Sequence, residues 1–425
     1  MSFYICSNCG YGLASWLGKC PECGEFNTLR QQRDVGKDQE EPTRKMKLQA
    51  FSNIQKQTQN RIKTGVFEFD RVIGGGLVPG EVILLSGEPG VGKSTLLLQV
   101  LSKLKTIYIS GEESPEQVTD RASRLKINSR NFLFSDESQV ESIIEGVREH
   151  GEIEVLVIDS VQTMYSKKAE GPPGAINQLK ETASQLIAFA KESKKILILI
   201  GHITKGGEIA GPKSLEHLVD CVLNFEGEKV SNFRLLRSTK NRFGATDEIG
   251  IFEMIQNGLK EVTNPLVFLE DQKNLAPGKA IIGVAEGKRS LFFEIQILAV
   301  PTVLAVPRRV VKGLDYNKTL LLIAVARKFL GLPLDKFDIY ANIVGGVSVK
   351  STSSDLGFIA ALISAFTNTA LPKNSSFIGE VGLLGEIRTT YFENKVTHEA
   401  RRMGFRKIYS SANVSHVQDL KKMLK

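Results

Sequence analysis

Gly87-Glu-Pro-Gly-Val-Gly-Lys93-Ser94-Thr95 is the stretch of this 425-residue sequence that decides the fold. It has the form G-x-x-x-x-G-K-[ST], a loop that follows a strand, opens a helix and binds phosphate with its backbone N–H groups. The flanks agree with this interpretation, because an apolar run over 82–86 precedes it and a helix-forming run over 95–104 follows it. We therefore predict a nucleotide site whose phosphates contact Gly87, Glu88, Pro89, Gly90, Val91, Gly92, Lys93, Ser94 and Thr95.

Lys93, Ser94 and a later acid have separate tasks at such a site. Lys93 is predicted to neutralise the β- and γ-phosphate oxygens of ATP, and Ser94 to ligate Mg²⁺. The apolar run Val155-Leu-Val-Ile-Asp159 ends in a carboxylate, which at the carboxyl edge of a parallel sheet would hold the hydrated Mg²⁺. The alternative is that Asp159 only caps the next helix.

Two further strand ends carry polar side chains suited to hydrolysis. Ile107-Tyr-Ile-Ser-Gly-Glu112-Glu113 ends in two acids, and Glu112 is predicted to orient the attacking water because Glu113 already begins the following helix. His202 follows the apolar run 196–200 and is predicted to sense the γ-phosphate. The alternative is a purely structural histidine.

The chain beyond residue 61 alternates strand-sized apolar runs with helical runs. Runs of Ile, Leu and Val without polar alternation are typical of a parallel sheet covered by helices on both faces. We predict strands over 81–87, 106–110, 154–159, 196–201, 218–225 and 232–239, and helices from 93 and over 115–125 and 178–192. Past about 261 we predict a second α/β region, with strands over 280–285, 291–300, 338–344 and 376–384 and helices over 318–329, 355–366 and 394–404.

The first 23 residues contain two C-x-x-C turns separated by ten residues. Tetrahedral Zn²⁺ needs four soft ligands, and a C-x-x-C turn points two thiolates at one ion. Gly10 and Gly24 directly follow the two turns and supply the positive φ that such turns require. We predict a structural zinc site, the alternative being a pair of redox dithiols. The predicted ligands are Cys6, Cys9, Cys20 and Cys23, whereas Cys221 is predicted to be an inert core residue.

Composition and charge exclude several classes of protein. The longest apolar runs, such as 195–201, are strand-sized, so no membrane span is predicted. The N-terminus lacks a signal-peptide pattern, so we expect a cytoplasmic protein without disulfides. The net charge is only +8, but residues 30–63 contain nine basic and four acidic residues. This stretch is predicted to be a flexible linker, and it is either a solvated tether or a nucleic-acid contact.

These motifs together resemble the bacterial DNA repair protein RadA (Sms) family, whose core is similar to RecA. The resemblance covers essentially the whole chain and includes, besides the P-loop and the strand ends, three family-like stretches. They are Trp16-Leu-Gly-Lys-Cys20, Lys240-Asn-Arg-Phe-Gly244 and Arg308-Arg309-Val-Val-Lys-Gly-Leu314. The resemblance implies a homo-hexameric ring that binds ATP between subunits, with Lys240 and Arg242 of one subunit completing the charge shell at the next. The alternative is that these two residues are only a basic surface pair.

Two Gly- and Pro-rich loops are candidates for DNA contact. They follow the strands of Asp159 and His202, and in RecA-like proteins the corresponding loops line the central path of the ring. Lysines in such loops bind backbone phosphates. The alternative is that both loops are ordinary mobile surface. The resemblance implies DNA-binding roles for Lys167, Lys168, Lys205 and Lys213.

The C-terminal part resembles the domain of Lon-type proteases, which makes an ATP-driven serine-lysine peptidase the main competing function. Ser354 lies where the nucleophile is expected, but the Pro-Ser-Ala-Gly context of the proteases is missing. Asn394 stands at the position of the catalytic lysine, and Lys395 beside it would point about 100° away on a helix. We predict a proteolytically inactive scaffold for ring assembly and DNA binding. A third class, a non-catalytic ATP-gated adaptor, is disfavoured by the presence of Glu112 and Lys240.

The predicted architecture is a RecA-like P-loop ATPase core between an N-terminal four-cysteine zinc knuckle and a C-terminal Lon-protease-like α/β domain. The predicted domains are a zinc finger over 1–29, a basic linker over 30–60, the ATPase domain over 61–262 and the Lon-like domain over 263–425. The resemblance implies a DNA-dependent ATPase of DNA repair and homologous recombination that translocates on single-stranded DNA and promotes branch migration. Its cofactors would be ATP, Mg²⁺ and Zn²⁺. Its partners would be single-stranded and branched DNA, further copies of the chain in a hexamer and the RecA recombinase, with no membrane involved.

Overall fold

The computed structural model describes residues 3–32, 60–202, 214–227, 232–264, 266, 269 and 275–424. The chain divides into two compact units, Met1–Thr58 and Gln59–Lys425, and each unit is described by itself. Most of the predicted linker over 30–60 lies outside the described residues. The predicted domain boundaries stay predictions.

The N-terminal unit contains a small antiparallel sheet. Its strands are β1 (Phe3–Cys6), β2 (Gly12–Leu13) and β3 (Leu29–Gln32). The strand order is β2-β1-β3. The buried residues of its small apolar cluster are Cys6, Cys20 and Leu29. So small a cluster cannot stabilise a fold by apolar burial alone, which makes a cross-link through the cysteines necessary.

The second unit begins with a nine-stranded mixed sheet. Its strands are β4 (Val82–Gly87), β5 (Thr106–Ser110), β6 (Phe132–Ser135), β7 (Val155–Asp159), β8 (Ile196–His202), β9 (Cys221–Glu226), β10 (Phe233–Asn241), β11 (Ile249–Ile255) and β12 (Gly258–Glu261). The order is β12-β11-β10-β9-β4-β8-β7-β5-β6. Strands β4 to β9 run parallel, and β10 to β12 continue the sheet as an antiparallel meander.

Helices cover this sheet, and their bounds are α1 (Phe67–Val72), α2 (Lys93–Val100), α3 (Pro115–Arg124), α4 (Val140–Glu149) and α5 (Ile176–Ser193). Every residue of β4, β5 and β7 is buried. Ile83 and Leu85 of β4 belong to one apolar core and Val82 and Leu84 to another, because successive side chains point to opposite faces of a strand. The prediction of strands buried on both faces is confirmed.

The prediction of a wholly parallel sheet is wrong at its last strands. Only six residues separate the end of β9 from the start of β10. A parallel return needs about a dozen or more residues, so β10 must turn back antiparallel to β9. Elements α1, β6, α4, β11 and β12 were not among the predictions. The edge strand β6 (Phe-Leu-Phe-Ser) is short and only partly buried, so its three apolar residues are a weaker signal than the longer runs of β4, β7 and β8.

A six-stranded mixed sheet follows in the same unit. Its strands are β13 (Lys279–Glu286), β14 (Arg289–Pro301), β15 (Arg309–Lys312), β16 (Phe337–Ile343), β17 (Ser375–Ile378) and β20 (Lys407–Ser410), and a separate hairpin is formed by β18 (Glu380–Val381) and β19 (Ile387–Arg388). The order of the larger sheet is β15-β16-β14-β13-β17-β20. The helices are α6 (Tyr316–Leu330), α7 (Asp355–Thr367), α8 (Glu393–Arg402) and α9 (Val417–Met423).

The predicted strand over 376–384 is too long. β17 ends at Ile378, after which Gly379 donates its N–H to the carbonyl oxygen of Ser353 instead of continuing the sheet. The following residues form the separate β18–β19 hairpin, and Gly385 in its turn has a φ of 85°. The apolar run Val381-Gly-Leu-Leu384 therefore marks a hairpin turn, in which glycine supplies the left-handed conformation.

The two sheets of this unit share buried contacts. Leu235, Ile249 and Ile251 of the nine-stranded sheet belong to the same apolar core as β13 and β14. Arg289 at the start of β14 forms an ion pair of 2.7 Å with Glu68 of α1, whose side chain is fully buried, while that of Arg289 is 9% exposed. Among the described residues, no helix combines the length and the apolar character that crossing a bilayer requires.

Candidate functional site

The P-loop, residues 87–95, joins the end of β4 to the start of α2 at the carboxyl edge of the parallel strands. Gly90 and Gly92 have φ angles of 77° and 110°, a region that residues with a Cβ rarely adopt. A Cβ on Gly87 would lie 2.4 Å from the carbonyl oxygen of Phe225 on the neighbouring β9. The glycines of the motif are thus required by backbone conformation and by close packing.

Lys93 begins α2 and is 4% exposed. Its Nζ donates hydrogen bonds to the carbonyl oxygens of Gly87 at 3.0 Å and Glu88 at 3.2 Å. Burial lowers the pKa of Lys93, and the charges of Asp159 and Glu112 oppose this effect. The ammonium group, the two acids and the loop therefore form one electrostatic site.

Asp159 ends β7, and the strand order β4-β8-β7 brings it to the P-loop. Ser94 Oγ donates to Asp159 Oδ2 at 2.8 Å, and the Tyr108 hydroxyl donates to the same oxygen. Burial raises the pKa of Asp159, and the two hydroxyl donors oppose the rise. A hydroxyl and a carboxylate in contact are hard oxygen ligands, so the residues present fit a Mg²⁺ site.

Glu112 and Glu113 follow β5 and have different partners. Glu113 forms a two-bond ion pair with Arg121 of α3, at 2.5 and 2.6 Å. Glu112 is exposed, and its Oε1 accepts a hydrogen bond from Ser160 Oγ at 2.5 Å. The charge of Glu112 also raises the pKa of Lys93, whereas both Glu112 and Glu113 raise the pKa of Asp159, so the two acids lie near the same site and differ in their partners.

His202 is the last residue of β8, and its backbone pairs with Gly87, the first residue of the P-loop. The strand therefore brings position 202 to the nucleotide site, as its place after an apolar run predicts. The side chain of His202 lies outside the described part of the chain, and its role as a phosphate sensor stays a prediction.

The loop after β7 leaves the same edge of the sheet as the P-loop and is held at its base by Gln178 of α5. Gln178 is 3% exposed and accepts the N–H of Ser166. Its Nε2 donates to three loop carbonyl oxygens, those of Ser166, Ala169 and Gly171. Lys167 and Lys168 are exposed on this loop, whereas Lys205 and Lys213 lie outside the described residues.

Lys240 and Arg242 lie at the opposite edge of the nine-stranded sheet from the P-loop of their own chain. Because β10 runs antiparallel to β9, Lys240 is opposite Val222 of β9, which is itself opposite Leu84 in the first half of β4. At about 3.3 Å per residue, this level is roughly 10 Å from Gly87 along the strand. The structure therefore does not bring these two residues to the nucleotide site of the same chain.

Both basic residues are held by the short segment that precedes β9. Lys240 Nζ donates to the carbonyl oxygens of Glu216 at 2.7 Å and His217 at 3.3 Å. Arg242 forms an ion pair of 3.3 Å with Asp220, whose carboxylate also binds Lys191 at 2.7 Å. The guanidinium of Arg242 remains more than half exposed, at 58%.

Three residues of the site were not predicted from the sequence: Tyr108, Ser160 and Arg234. Tyr108 and Ser160 bind the two acids described above. Arg234 of β10 is buried, and its Nε donates to the carbonyl oxygen of Val91 at 3.0 Å, which supports the P-loop from behind. The sequence does contain one indication for Arg234 and Tyr108. Each lies within an apolar strand run and carries a polar group, which when buried requires a hydrogen-bond partner.

The four N-terminal cysteines converge on one point. Their sulfur atoms all lie within 4.8 Å of one another, with Cys6–Cys23 and Cys9–Cys20 distances of 3.6 Å. Four sulfurs at about 2.3 Å from a central ion in a tetrahedron are about 3.8 Å apart, so the cluster fits Zn²⁺. Gly10 and Gly24 have φ angles of 76° and 74° and donate to the carbonyl oxygens of Cys6 and Cys20, which gives the two turns the same geometry.

Cys221 is separate from this cluster. It is the first residue of β9, is fully buried and belongs to the apolar core beneath the P-loop. Burial raises the pKa of its thiol, which keeps it protonated and unreactive. The prediction of a core role agrees with this environment.

Ser354 and Lys395 of the predicted rival site have different partners. Ser354 is buried, and its Oγ donates to the carbonyl oxygen of Ser351 at 2.9 Å. Lys395 is exposed on α8 beside Asn394, and its Nζ donates to the carbonyl oxygen of Lys288. Within the described part of the chain, Ser354 and Lys395 share no hydrogen bond.

Comparison with known families agrees with both sites. Residues 62–145 match the ATPase family described as KaiC, and residues 4–31 match the rubredoxin metal binding domain. The first match contains the P-loop and Glu112, and the second contains the four cysteines. The predicted RecA-like ATPase core and the predicted N-terminal four-cysteine zinc site are confirmed.

Two relatives match along nearly the whole chain. The DNA repair protein RadA of Rickettsia bellii (strain RML369-C) is 42% identical over 440 residues, which cover 99% of this chain and 98% of the relative. The DNA repair protein RadA of Aquifex aeolicus (strain VF5) is 40% identical over 411 residues, which cover 95% and 92%. Among solved structures, the RadB recombinase is 22% identical, with a TM-score of 0.39 and coverage of 47% of this chain and 98% of that one. On the identity and coverage of its full-length relatives, the chain belongs to the RadA family of DNA repair proteins.

Proposed function

We propose that this chain is a DNA-dependent ATPase that translocates on single-stranded DNA and promotes branch migration of recombination intermediates. One observation carries the proposal: Lys93, Ser94, Asp159 and Glu112 come from three strand ends and meet at one edge of a parallel sheet. Ligands of open α/β sheets bind outside the carboxyl ends of the strands. Membership of a DNA repair family supports the choice of DNA as the polymer.

Residues of the P-loop and of β7 would hold the nucleotide and its metal. The backbone N–H groups of the loop and the Lys93 ammonium bind phosphate oxygens. Ser94 and Asp159 are the proposed ligands of hydrated Mg²⁺, and their contact of 2.8 Å supports this assignment. The ion, when bound, neutralises negative charge on the β- and γ-phosphates.

Glu112 is proposed to orient the attacking water and to accept its proton. The pairing of Glu113 with Arg121 supports this choice, because a carboxylate in a two-bond ion pair is poorly placed to bind water. His202, at the end of β8, is proposed to sense the γ-phosphate, and the loop that follows it would pass that state to DNA.

A homo-hexameric ring is proposed to complete the site. Lys240 and Arg242 lie at the sheet edge opposite their own P-loop, so a neighbouring subunit is required if they are to reach a transferring phosphate. The exposed guanidinium of Arg242 is suited to that role, since Arg can bind phosphate with two parallel hydrogen bonds.

The lysines of the two loops at the carboxyl edge are proposed to bind DNA backbone phosphates. Lys167 and Lys168 are exposed on a loop that starts one residue after Asp159, so nucleotide state and DNA contact would be linked through β7. Lys205 and Lys213 are proposed to act from the second loop. Branched DNA and the RecA recombinase are the proposed further partners.

The rate of ATP hydrolysis with and without single-stranded DNA tests the proposal. We expect stimulation by DNA, and we expect Lys93→Ala to lower kcat by about 100-fold or more, because it removes a charge that stabilises the transition state. Absence of stimulation, or retained hydrolysis in Lys93→Ala, would refute it. Loss of stimulation with unchanged basal hydrolysis in a Lys167→Ala, Lys168→Ala double variant is the expected result for the loop.

Subunit mixing tests the ring. Arg242→Ala should retain nucleotide binding and lose hydrolysis, and mixing it with Lys93→Ala should restore part of the activity, since some interfaces then combine an intact Lys93 with an intact Arg242. Arg388→Ala is a matched control, because Arg388 is also exposed and paired with one acid. If mixing restores nothing while the two variants form mixed rings, Arg242 does not act on a neighbour.

Peptidase activity is not proposed, because the hydrogen bonds of Ser354 and Lys395 go to different backbone carbonyls. A serine-lysine mechanism needs the lysine to accept the serine proton. Incubation with an unfolded protein and ATP should give no cleavage, and cleavage that Ser354→Ala abolishes would restore the rival function. The resemblance of the six-stranded region to Lon-type domains is retained as part of the proposal, with a role in ring assembly and DNA binding.

A further inference from the structure

Two buried hydroxyl groups bind the two acids of the nucleotide site in a crossed arrangement. Tyr108 of β5 donates to Asp159 at the end of β7. In the reverse direction, Ser160 donates to Glu112 at 2.5 Å. Ser160 directly follows β7, and Glu112 is the second residue after the end of β5. Each of the two adjacent strands therefore supplies one acid and one hydroxyl donor, and the two hydrogen bonds connect the strand ends twice.

The strand register explains how Tyr108 reaches Asp159. Tyr108 is opposite Val157, and Asp159 lies two residues further along β7 on the same face. With parallel strands about 4.8 Å apart and a rise of about 3.3 Å per residue, such a diagonal neighbour is about 8 Å away, a distance that the tyrosine and aspartate side chains together can span. The tyrosine is 1% exposed, so its hydroxyl has no access to bulk water and depends on the carboxylate.

Ser160 is in a similar position on the other side of the pair. It is 0% exposed, and its hydroxyl is directed at the carboxylate of an otherwise exposed residue, Glu112. An exposed glutamate side chain has several rotatable bonds, so a hydrogen bond from a rigid buried donor restricts where its oxygens can lie.

We propose that Tyr108 and Ser160 are positioning residues with separate tasks. Tyr108 orients Asp159 for Mg²⁺, and Ser160 orients Glu112 for the attacking water. The inference rests on the proposed ATPase function and deepens it. Ser94 and Tyr108 donate to the same oxygen of Asp159, so that oxygen keeps one fixed donor when Ser94 turns to another partner. Groups that hold metal ligands in this way commonly account for about 10- to 100-fold in affinity or rate.

Tyr108→Phe removes one hydroxyl and keeps the shape of the side chain. Binding of a fluorescent ATP analogue is measured in EDTA and across a range of Mg²⁺ concentrations. We expect unchanged affinity in EDTA and an increase of about 10-fold or more in the Mg²⁺ concentration that gives half-maximal binding. Tyr409→Phe is the matched control, because Tyr409 is buried in the six-stranded sheet.

Ser160→Ala removes the second hydroxyl. We expect kcat to fall by about 10-fold, with unchanged affinity for the analogue and unchanged Mg²⁺ dependence, because a hydrogen bond to a charged group is lost at the reacting centre only. Ser160→Thr, which keeps the hydroxyl, should restore most of the rate. Ser364→Ala is the control, since Ser364 of α7 is also almost fully buried and donates to the backbone carbonyl oxygen of Thr369, just after that helix.

The two variants should thus affect different quantities. The proposal is overturned if Tyr108→Phe and Ser160→Ala change the Mg²⁺ dependence and kcat to the same extent. It is also overturned if their effects are no larger than those of the two control variants. Loss of analogue binding in EDTA by Tyr108→Phe would also contradict it, because the hydroxyl would then support the whole fold of the site. If the wild-type chain hydrolyses no ATP, or Lys93→Ala hydrolyses it normally, the proposed function fails first, and the EDTA and Mg²⁺ titrations still test Tyr108.

Discussion

Glu81, the residue before β4, is a buried acid whose charge opposes folding. It is 0% exposed, and its Oε2 accepts the N–H of Val78 at 3.0 Å. Among the described residues, its Oε1 has no hydrogen-bond partner. Burial is the main reason why the pKa of Glu81 is raised to about 7, and the nearby charge of Asp220 adds to the rise while Arg61 opposes it.

The raised pKa makes stability depend on pH in a definite direction. In the unfolded chain Glu81 has its ordinary pKa of 4.5, and in the folded chain its pKa is about 7. Below pH 4.5 both states hold the proton, and the stabilising contribution is fully present. It declines as the pH rises towards 7, because the folded chain then binds more protons than the unfolded chain. Over this interval the loss is about 3 kcal/mol, at 1.36 kcal/mol per pH unit.

Glu81→Gln removes the titration and keeps the size of the side chain. We expect the variant to be more stable than the wild type by up to about 3 kcal/mol at pH 8 and about equally stable at pH 4.5. Urea unfolding at both pH values, followed by circular dichroism, measures the difference. Glu192→Gln, which alters an exposed glutamate of α5, is the matched control and should change neither value by more than about 0.5 kcal/mol.

Two outcomes would contradict a raised pKa at Glu81 that costs stability. If Glu81→Gln is less stable than the wild type at pH 8, the carboxylate contributes more through its hydrogen bond to Val78 than its burial costs. If the stability difference is the same at both pH values, Glu81 does not titrate in this interval, and its environment is more polar than the buried position indicates.

Three further variants probe other parts of the chain. Cys20→Ser should lose bound zinc, measured with a chromogenic chelator, and unfold residues 3–32; retained stoichiometric zinc would contradict this. Gly92→Ala should weaken ATP binding, measured by calorimetry, by about 10-fold. The φ angle of Gly92 is 110°, and the new Cβ would lie 2.8 Å from Met254 Cε. Unchanged affinity would show that the P-loop adapts to the added methyl group. Gln178→Leu should leave three loop carbonyl oxygens without their hydrogen-bond donor. We expect the free energy of unfolding in urea to fall by about 2 kcal/mol and hydrogen exchange over 165–171 to become faster. Unchanged exchange would show that other residues hold the loop.

The central strands and the ligand turns could be predicted because their signals are local. β5 was predicted with the observed bounds, and β4 and β7 each differ by one residue, since continuous apolar runs leave little doubt about a buried strand. The C-x-x-C turns could also be predicted, because their geometry depends only on the two cysteines and the glycine that directly follows them. The direction of β10 was missed because apolar content does not distinguish a parallel from an antiparallel strand, whereas the length of the preceding connection does.

The roles of neighbouring residues required the tertiary structure. Glu112 and Glu113 are adjacent in sequence and of the same residue type, and only the position of Arg121 in α3 shows that Glu113 forms a two-bond ion pair. Tyr108 and Ser160 carry ordinary hydroxyl groups, and no spacing in the sequence links either to an acid about 50 residues away.

By itself, the sequence determined the P-loop, the zinc ligands and the family, because each of these depends on residue types at short, fixed spacing. Strand order was decided only in the folded sheet. The order β4-β8-β7 places Asp159 two strands from the P-loop strand β4. The antiparallel pairing of β10 with β9 places Lys240 toward the edge of the sheet opposite the P-loop. Both positions depend on which strands pair in the fold, and the order of the strands along the chain does not give this. That arrangement separates the groups that can act on the chain's own nucleotide from those that need a neighbour.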